Sequence, residues 1–280
     1  RLIGMKELKK ALYAQLVYIL QRFHTTSETG EYLNTVIMGV PGVGKSIVAE
    51  LLGQLYAKLR YSGASQDGQY KLVHRDDLIG KYVGQTAPKT RALLESCLNG
   101  CLVIDEAYSL SQAGEKDFAN EAVDTLVGFL SQHKKDMVCI LVGYKEDLEA
   151  RFFPMNAGLR RRFPWTFTID PYKPEELMEI LQTHAERQGW ALADGVTPKL
   201  IDLISDNKLS KDQGGFIENL IARAKMMHSQ RIVNEPLDSS LSHVLTLDDF
   251  KDALKYLGDT MLDNDDDDPA DKDKWITMFN

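Results

Sequence analysis

Apolar residues recur at helical spacing from Met5 to Phe23, at Leu8, Leu12, Leu16, Ile19 and Leu20, and predict an opening helix. Thr25 to Glu31 is polar and reads as a loop. Four compact apolar runs follow, at Leu33–Met38, Lys71–His74, Cys101–Ile104 and Val138–Val142, with a shorter fifth at Thr166–Ile169. Helical patterns lie between them at Ser46–Leu59, Pro88–Leu98 and Phe118–Gln132. Strands alternating with helices predict an α/β fold, with a parallel sheet covered on both faces. After Pro171 the strand pattern stops. Pro174–Gln188, Pro198–Ile204, Phe216–Arg231 and Leu247–Leu257 all read as helices. Thr246-Leu247-Asp248-Asp249 has the form of a capping box with Asp in its third helical position. The expected organisation is therefore an α/β domain over residues 1–171, a small all-α domain over 172–260, and a tail over 261–280.

Composition narrows the class. With 280 residues, 44% hydrophobic and 26% charged, the chain has enough apolar residue for one or two packed domains and is not a disordered segment. The net charge of −8 is uneven, because residues 263–273 hold seven Asp. The rest is close to neutral, with no basic face of the kind that neutralises a phosphate backbone, which argues against nucleic acid as a partner. No apolar run reaches the ~18 residues of a membrane helix. The chain opens on Arg1, as an excised fragment would, and no signal-peptide pattern follows. Three cysteines, Cys97, Cys101 and Cys139, are too few for a disulfide framework. They read as small buried hydrophobes in a reducing intracellular compartment, cytoplasm or organelle stroma or matrix.

The chemistry is concentrated near the predicted strand ends. Gly39-Val40-Pro41-Gly42-Val43-Gly44-Lys45-Ser46 fits G-x-x-x-x-G-K-[ST], after a strand and opening a helix, as a phosphate-binding loop requires. Its glycines let backbone N–H groups turn towards phosphates, and the helix N-terminus adds positive potential. Lys45 would reach the β- and γ-phosphates of ATP, and the Ser46 hydroxyl would ligate Mg²⁺. The strand Cys101–Ile104 ends in Asp105-Glu106, two carboxylates where open α/β sheets bind ligands. Asp105 would hold Mg²⁺, and Glu106 would polarise the attacking water. Tyr144, just past another strand, is either a polar sensor of the γ-phosphate or a packed aromatic beside the sheet. Arg160-Arg161-Arg162 either sends one or two guanidiniums to a neighbouring subunit's nucleotide or forms a solvated basic turn. Lys81-Tyr82-Val83-Gly84 is either an exposed gripping loop or has Tyr82 folded back on the core.

These residues resemble AAA+ ATPases, and more narrowly the CbbX/SpoVK-like family, whose CbbX members are red-type Rubisco activases. The similar stretches are GVPGVGKSIVAELLGQLY, VHRDDLIGKYVGQTAPKT, GCLVIDEAYSL, ILVGYKEDLEARFF and NAGLRRRFP, in family order across residues 1–172. The resemblance implies a P-loop NTPase fold with a five-stranded parallel sheet and a helical lid. It also implies a hexameric ring with ATP and Mg²⁺ at subunit interfaces and a pore that pulls on a polypeptide client; the ring is either homomeric or mixed. By position, Lys45 and Ser46 bind nucleotide and metal, and Asp105 and Glu106 are the Walker B pair. Arg161 and Arg162 fall at the arginine fingers, Tyr82 with Val83 on the first pore loop, and Ile3-Gly4 at the adenine-contacting turn. One departure stands out. The family's lid arginine falls on Gly215, within Asp212-Gln213-Gly214-Gly215-Phe216, while Arg223 matches a different position. Three functions are therefore compared: a protein-remodelling ATPase motor, a nucleic-acid motor or clamp loader, and an ATP-binding ring subunit without hydrolysis. The near-neutral core argues against the second, and the presence of Glu106 against the third.

Overall fold

A computed structural model describes residues 2–21, 31–60, 69–111, 118–205, 212–233 and 243–265. It divides the chain into two compact units, Leu2–Pro171 and one from Tyr172 onward.

The first unit begins with helix α1 (Lys6–Leu20), strand β1 (Thr35–Gly39), helix α2 (Lys45–Arg60) and strand β2 (Tyr70–Val73). A short helix α3 (Arg75–Leu78), α4 (Thr86–Glu95) and β3 (Gly100–Ile104) follow. Then come α5 (Ala119–Gln132), β4 (Met137–Gly143), the single turns α6 (Lys145–Asp147) and α7 (Leu159–Arg162), and β5 (Trp165–Ile169). The five strands form one parallel sheet in the order β2-β3-β4-β1-β5. β4 is inserted between β3 and β1, with Leu102 opposite Cys139 and Val36 opposite Leu141. Every residue of β1, β3 and β4 is buried, which is why these strands are continuous apolar runs with no alternation. On one face, Met38, Leu102, Ile104 and Leu141 join Leu94 of α4 and Leu126 and Leu130 of α5 in a single core. The three cysteines are free and buried, as their apolar settings predict.

The second unit contains α8 (Pro174–Arg187), β6 (Ala191–Leu192), α9 (Val196–Ser205), α10 (Gln213–Ile232), β7 (Val244–Leu245) and α11 (Leu247–Asp265). The four predicted helices are all present, around a core of Leu181, Leu200, Ile217, Leu220 and Phe250. The expectation that strands end at residue 171 is corrected: β6 and β7 form a two-stranded parallel sheet. Two-residue strands are too short to carry a period, so no pattern announces them. The Thr246–Asp249 capping box is present. Thr246 N–H donates to Asp249 Oδ2 at 2.8 Å, and Asp249 N–H donates to Thr246 Oγ1 at 3.4 Å. α11 runs through Asp265, so the tail expected from 261 starts inside a helix, and residues 266–280 lie outside the described residues. Most of the Thr25–Glu31 loop also lies outside them. Among the described residues no helix is long and apolar enough to cross a membrane.

Candidate nucleotide site

β1, β3 and β4 are adjacent and parallel, so their C-terminal ends open on one edge of the sheet. The P-loop leaves β1 there. Gly42 and Gly44 have φ of 70° and 81°, left-handed conformations that a side chain strains, and this turns their amides inward. Val43 is buried and pins the loop, while Pro41 and Ser46 are exposed. α2 starts at Lys45, which places the Lys45 and Ser46 amides in a helix first turn, where an anion is favoured.

Lys45 is held in place by its own chain. Its Nζ donates to Val40 O at 2.7 Å and lies 4.4 Å from the centroid of the Tyr144 ring. Burial lowers the pKa of this ammonium, and the charges of Asp105 and Glu106 partly oppose that shift. Tyr144 follows β4 immediately and stacks on Tyr108, with centroids 5.1 Å apart and planes at 27°. Tyr144 is thus a packed aromatic, as one of the two sequence readings has it, and its ring lies against the P-loop lysine.

Asp105 is 8% exposed and receives the Glu106 N–H on Oδ1 at 2.8 Å. Its own N–H donates to Val73 O at 3.0 Å, which ties the end of β3 to β2. Glu106 is exposed and adopts φ 49°, an uncommon left-handed conformation for a non-glycine residue. Such strain persists where the surrounding structure fixes it, and here it turns two successive carboxylates away from the strand alternation. The sequence reading passed over Tyr108. Burial first, then the Glu106 charge and hydrogen bonds with Tyr144 and Glu106, push its phenol pKa upward. Its signal was its place three residues beyond Asp105, within the quoted IDEAYSL stretch.

A buried carboxylate with one backbone donor, a hydroxyl at a helix start and a glycine cradle suit a magnesium–nucleotide pair. Among the described residues no group of three or more His, Cys, Asp or Glu could hold a metal alone. Asp105 and Ser46 would therefore share Mg²⁺ with phosphate oxygens and water.

The remaining expected residues separate. Ile3 and Gly4 precede α1 in a turn where Gly4 and Met5 both have positive φ. α1 is anchored to β1, the strand that feeds the P-loop: buried Gln15 donates to Thr35 Oγ1 at 3.4 Å and accepts from the Tyr56 hydroxyl. Tyr82 is 69% and Val83 83% exposed, so neither folds back on the core. The three arginines differ. Arg160 pairs with Glu149 and lies over the Phe153 ring. Arg162 donates to Ser131 Oγ from Nε and Nη2, at 3.1 and 2.7 Å, and to Gly158 O at 3.1 Å. Arg161 is exposed, and no hydrogen bond or ion pair holds it among the described residues. In the helical unit, Gly215 lies in the first turn of α10 with open space where a Cβ would be. Arg223 lies over the Tyr256 ring at 4.8 Å.

Two family models match the chain. Residues 35–165 match the ATPase family associated with various cellular activities (AAA), and residues 173–259 match the AAA lid domain. A cfxQ-like protein of Acanthamoeba polyphaga mimivirus is 37% identical over 90% of this chain, which spans 61% of that relative's length. Stage V sporulation protein K of Bacillus subtilis is 34% identical over 83% of this chain and 74% of its own. The chloroplastic ribulose bisphosphate carboxylase/oxygenase activase of Cyanidioschyzon merolae is 31% identical over 89% of this chain and 82% of its own. Among solved structures, the FIGL-1 AAA domain in complex with ADP superposes with a TM-score of 0.67, over 94% of this chain and 86% of that one. Its 19% identity speaks to the fold alone.

Proposed function

Because the chain belongs to the AAA ATPase family, with the family's lid domain following the core in sequence, we propose that it is an ATP-driven ring motor that remodels a protein client. The observation that carries this reading is the arginine triplet. Two guanidiniums are held by their own chain, and Arg161 is exposed with no hydrogen bond or ion pair among the described residues. An exposed cation suits a task in trans, neutralising charge that develops on a neighbouring copy's γ-phosphate.

In this reading the glycine cradle receives the phosphates of ATP, and Lys45 leaves Val40 O and the Tyr144 ring for the β- and γ-phosphate oxygens. Bound Mg²⁺, held by Ser46 and Asp105, would offset phosphate charge. Glu106 orients the attacking water and takes up its proton, and the Tyr144 hydroxyl would follow the γ-phosphate. Ring closure, as a hexamer, completes each site with Arg161 of a neighbouring copy. The exposed Tyr82-Val83 loop would grip an extended polypeptide. The name of the Cyanidioschyzon relative supports a Rubisco-activase-type client as one version.

The test is ATPase activity per mole of chain across a wide range of protein concentration. Specific activity is expected to climb steeply, and Arg161→Ala to abolish it while ATP binding remains. Activity that is flat with concentration, or unaffected by Arg161→Ala, overturns the reading.

A further inference from the structure

Arg75 is the first residue of α3 and takes no part in the nucleotide site, yet it touches the turn that carries Glu106. Its Nη1 donates to Ser109 O at 2.6 Å, across 34 residues of chain, from a half-buried position. Ser109 lies in the 3₁₀ turn Ala107–Ser111 that follows Asp105-Glu106. Its N–H donates to Glu106 O at 2.7 Å, and Glu106 N–H donates in turn to Asp105 Oδ1. The guanidinium of Arg75 thus ends on a short hydrogen-bonded chain that reaches the catalytic carboxylates.

In the other direction Arg75 opens the segment that carries Tyr82. Ile79 N–H donates to Arg75 O at 3.1 Å. Lys89 Nζ donates to Asp76 O at 2.5 Å and to Ile79 O at 2.9 Å. Gly80 N–H donates to Thr86 Oγ1 at 3.0 Å, and Thr90 Oγ1 donates to Leu78 O at 2.9 Å. The exposed stretch Lys81–Gly84, whose Tyr82 O accepts from Gln85 N–H at 3.2 Å, therefore lies in a segment braced on both flanks. A braced segment transmits displacement, whereas a slack one absorbs it.

We propose that Arg75 is the positioning residue that couples the Glu106 turn to the Tyr82-Val83 loop, so that nucleotide binding is felt at the loop. The side chain bridges two elements that no strand pairing joins at that level. A guanidinium on a carbonyl is a directional, charge-assisted bond that follows its acceptor. The inference uses the gripping loop of the preceding section, but its test does not need a client.

The experiment places a thiol-reactive fluorophore on Val83→Cys, which is 83% exposed while the native cysteines are buried. The probe ligands are ADP and a slowly hydrolysed ATP analogue, each with Mg²⁺. The labelled parent is expected to change emission between the two nucleotides. With Arg75→Ala added, nucleotide affinity and KM for ATP stay within about twofold. The emission change is lost and kcat falls about tenfold, the effect of one lost bond of roughly RT ln 10. Arg75→Lys, which keeps a donor, restores part of both and decides the matter should the alanine variant misfold. An emission change that survives Arg75→Ala, a parent that gives none, or a common loss of KM, kcat and melting temperature each overturns the coupling. Failure of the client reading would show instead as unchanged client work in Tyr82→Ala, with the emission response intact.

Discussion

Replacing Arg231 with Met tests what holds the helical unit together at its polar centre. Asp249 is 2% exposed, yet its carboxylate is fully engaged. Arg231 donates from Nε to Oδ1 at 3.0 Å and from Nη2 to Oδ2 at 3.2 Å. The Thr246 hydroxyl and N–H donate to Oδ2 at 2.9 and 2.8 Å, which ties the start of α11 to the same group. Burial by itself would raise the carboxyl pKa, but the bonds from Arg231 and Thr246 outweigh it and hold the group below the usual carboxylate value. Methionine fills much of the space and leaves a buried charge with the two Thr246 bonds and with His228, whose Nδ1 lies 3.6 Å from Asp249 Oδ2. Removing one partner of a buried pair costs roughly 3–5 kcal/mol, and the two surviving Thr246 bonds put this case near 3. In a unit of about 100 residues each kcal/mol lowers the melting temperature by about 4–8 °C, so the helical unit should melt ~12–24 °C lower. Calorimetry of the whole chain at neutral pH reads this directly, with the α/β unit as internal reference.

The pH dependence has a definite sign. A depressed folded pKa gives stability that is complete above the unfolded carboxylate value of about 3.9 and is lost as pH falls through the folded value. Wild type and Arg231→Met should therefore converge in strong acid. The double variant Arg231→Met, Asp249→Leu removes the stranded charge and should recover ~1 kcal/mol or more of the loss, despite forfeiting the α11 cap. A drop under about 4 °C in the single variant, or a double variant that is no better, would refute the assignment of a buried, paired charge.

Glu106→Gln should still bind ATP in a filter assay while turnover drops at least ~10²-fold; full activity would remove Glu106 from the water-orienting role. Gly44→Ala forces a side chain into φ 81°, at about 1–2 kcal/mol, and should weaken nucleotide binding tenfold or more while lowering the core's melting temperature by a few degrees. Tyr56→Phe strands the buried Gln15 carbonyl and should cost about 1–3 kcal/mol in urea unfolding at unchanged slope; no loss would mean that the Tyr56–Gln15 bond does not help to hold α1. Burial lowers the Lys45 pKa in the free chain, so phosphate binding at alkaline pH should take up protons and affinity should fall as pH rises. Binding enthalpies that do not vary with buffer anywhere in the alkaline range would count against that.

The hydrophobic pattern determined the three central strands most sharply, because residues buried on both faces leave continuous apolar runs, whereas the partly exposed β2 and β5 left shorter ones. It also determined the four helices of the second unit and the capping box, since both are local arrangements with a fixed spacing. The P-loop was legible for the same reason: its glycines satisfy a backbone requirement within eight consecutive residues. The pairing of distant residues was not legible. Insertion of β4 between β3 and β1 brings Tyr144 beside Lys45, and strand order is decided by long-range packing that no local period reports. The Tyr108–Tyr144 stack, the Arg75–Ser109 bond and the Gln15–Tyr56–Thr35 cluster join segments tens of residues apart. The arginine triplet shows the division most clearly. The sequence offers three equivalent guanidiniums in a row. Only the fold, by setting Glu149 near the first and Ser131 near the third, leaves the second with no hydrogen bond or ion pair among the described residues.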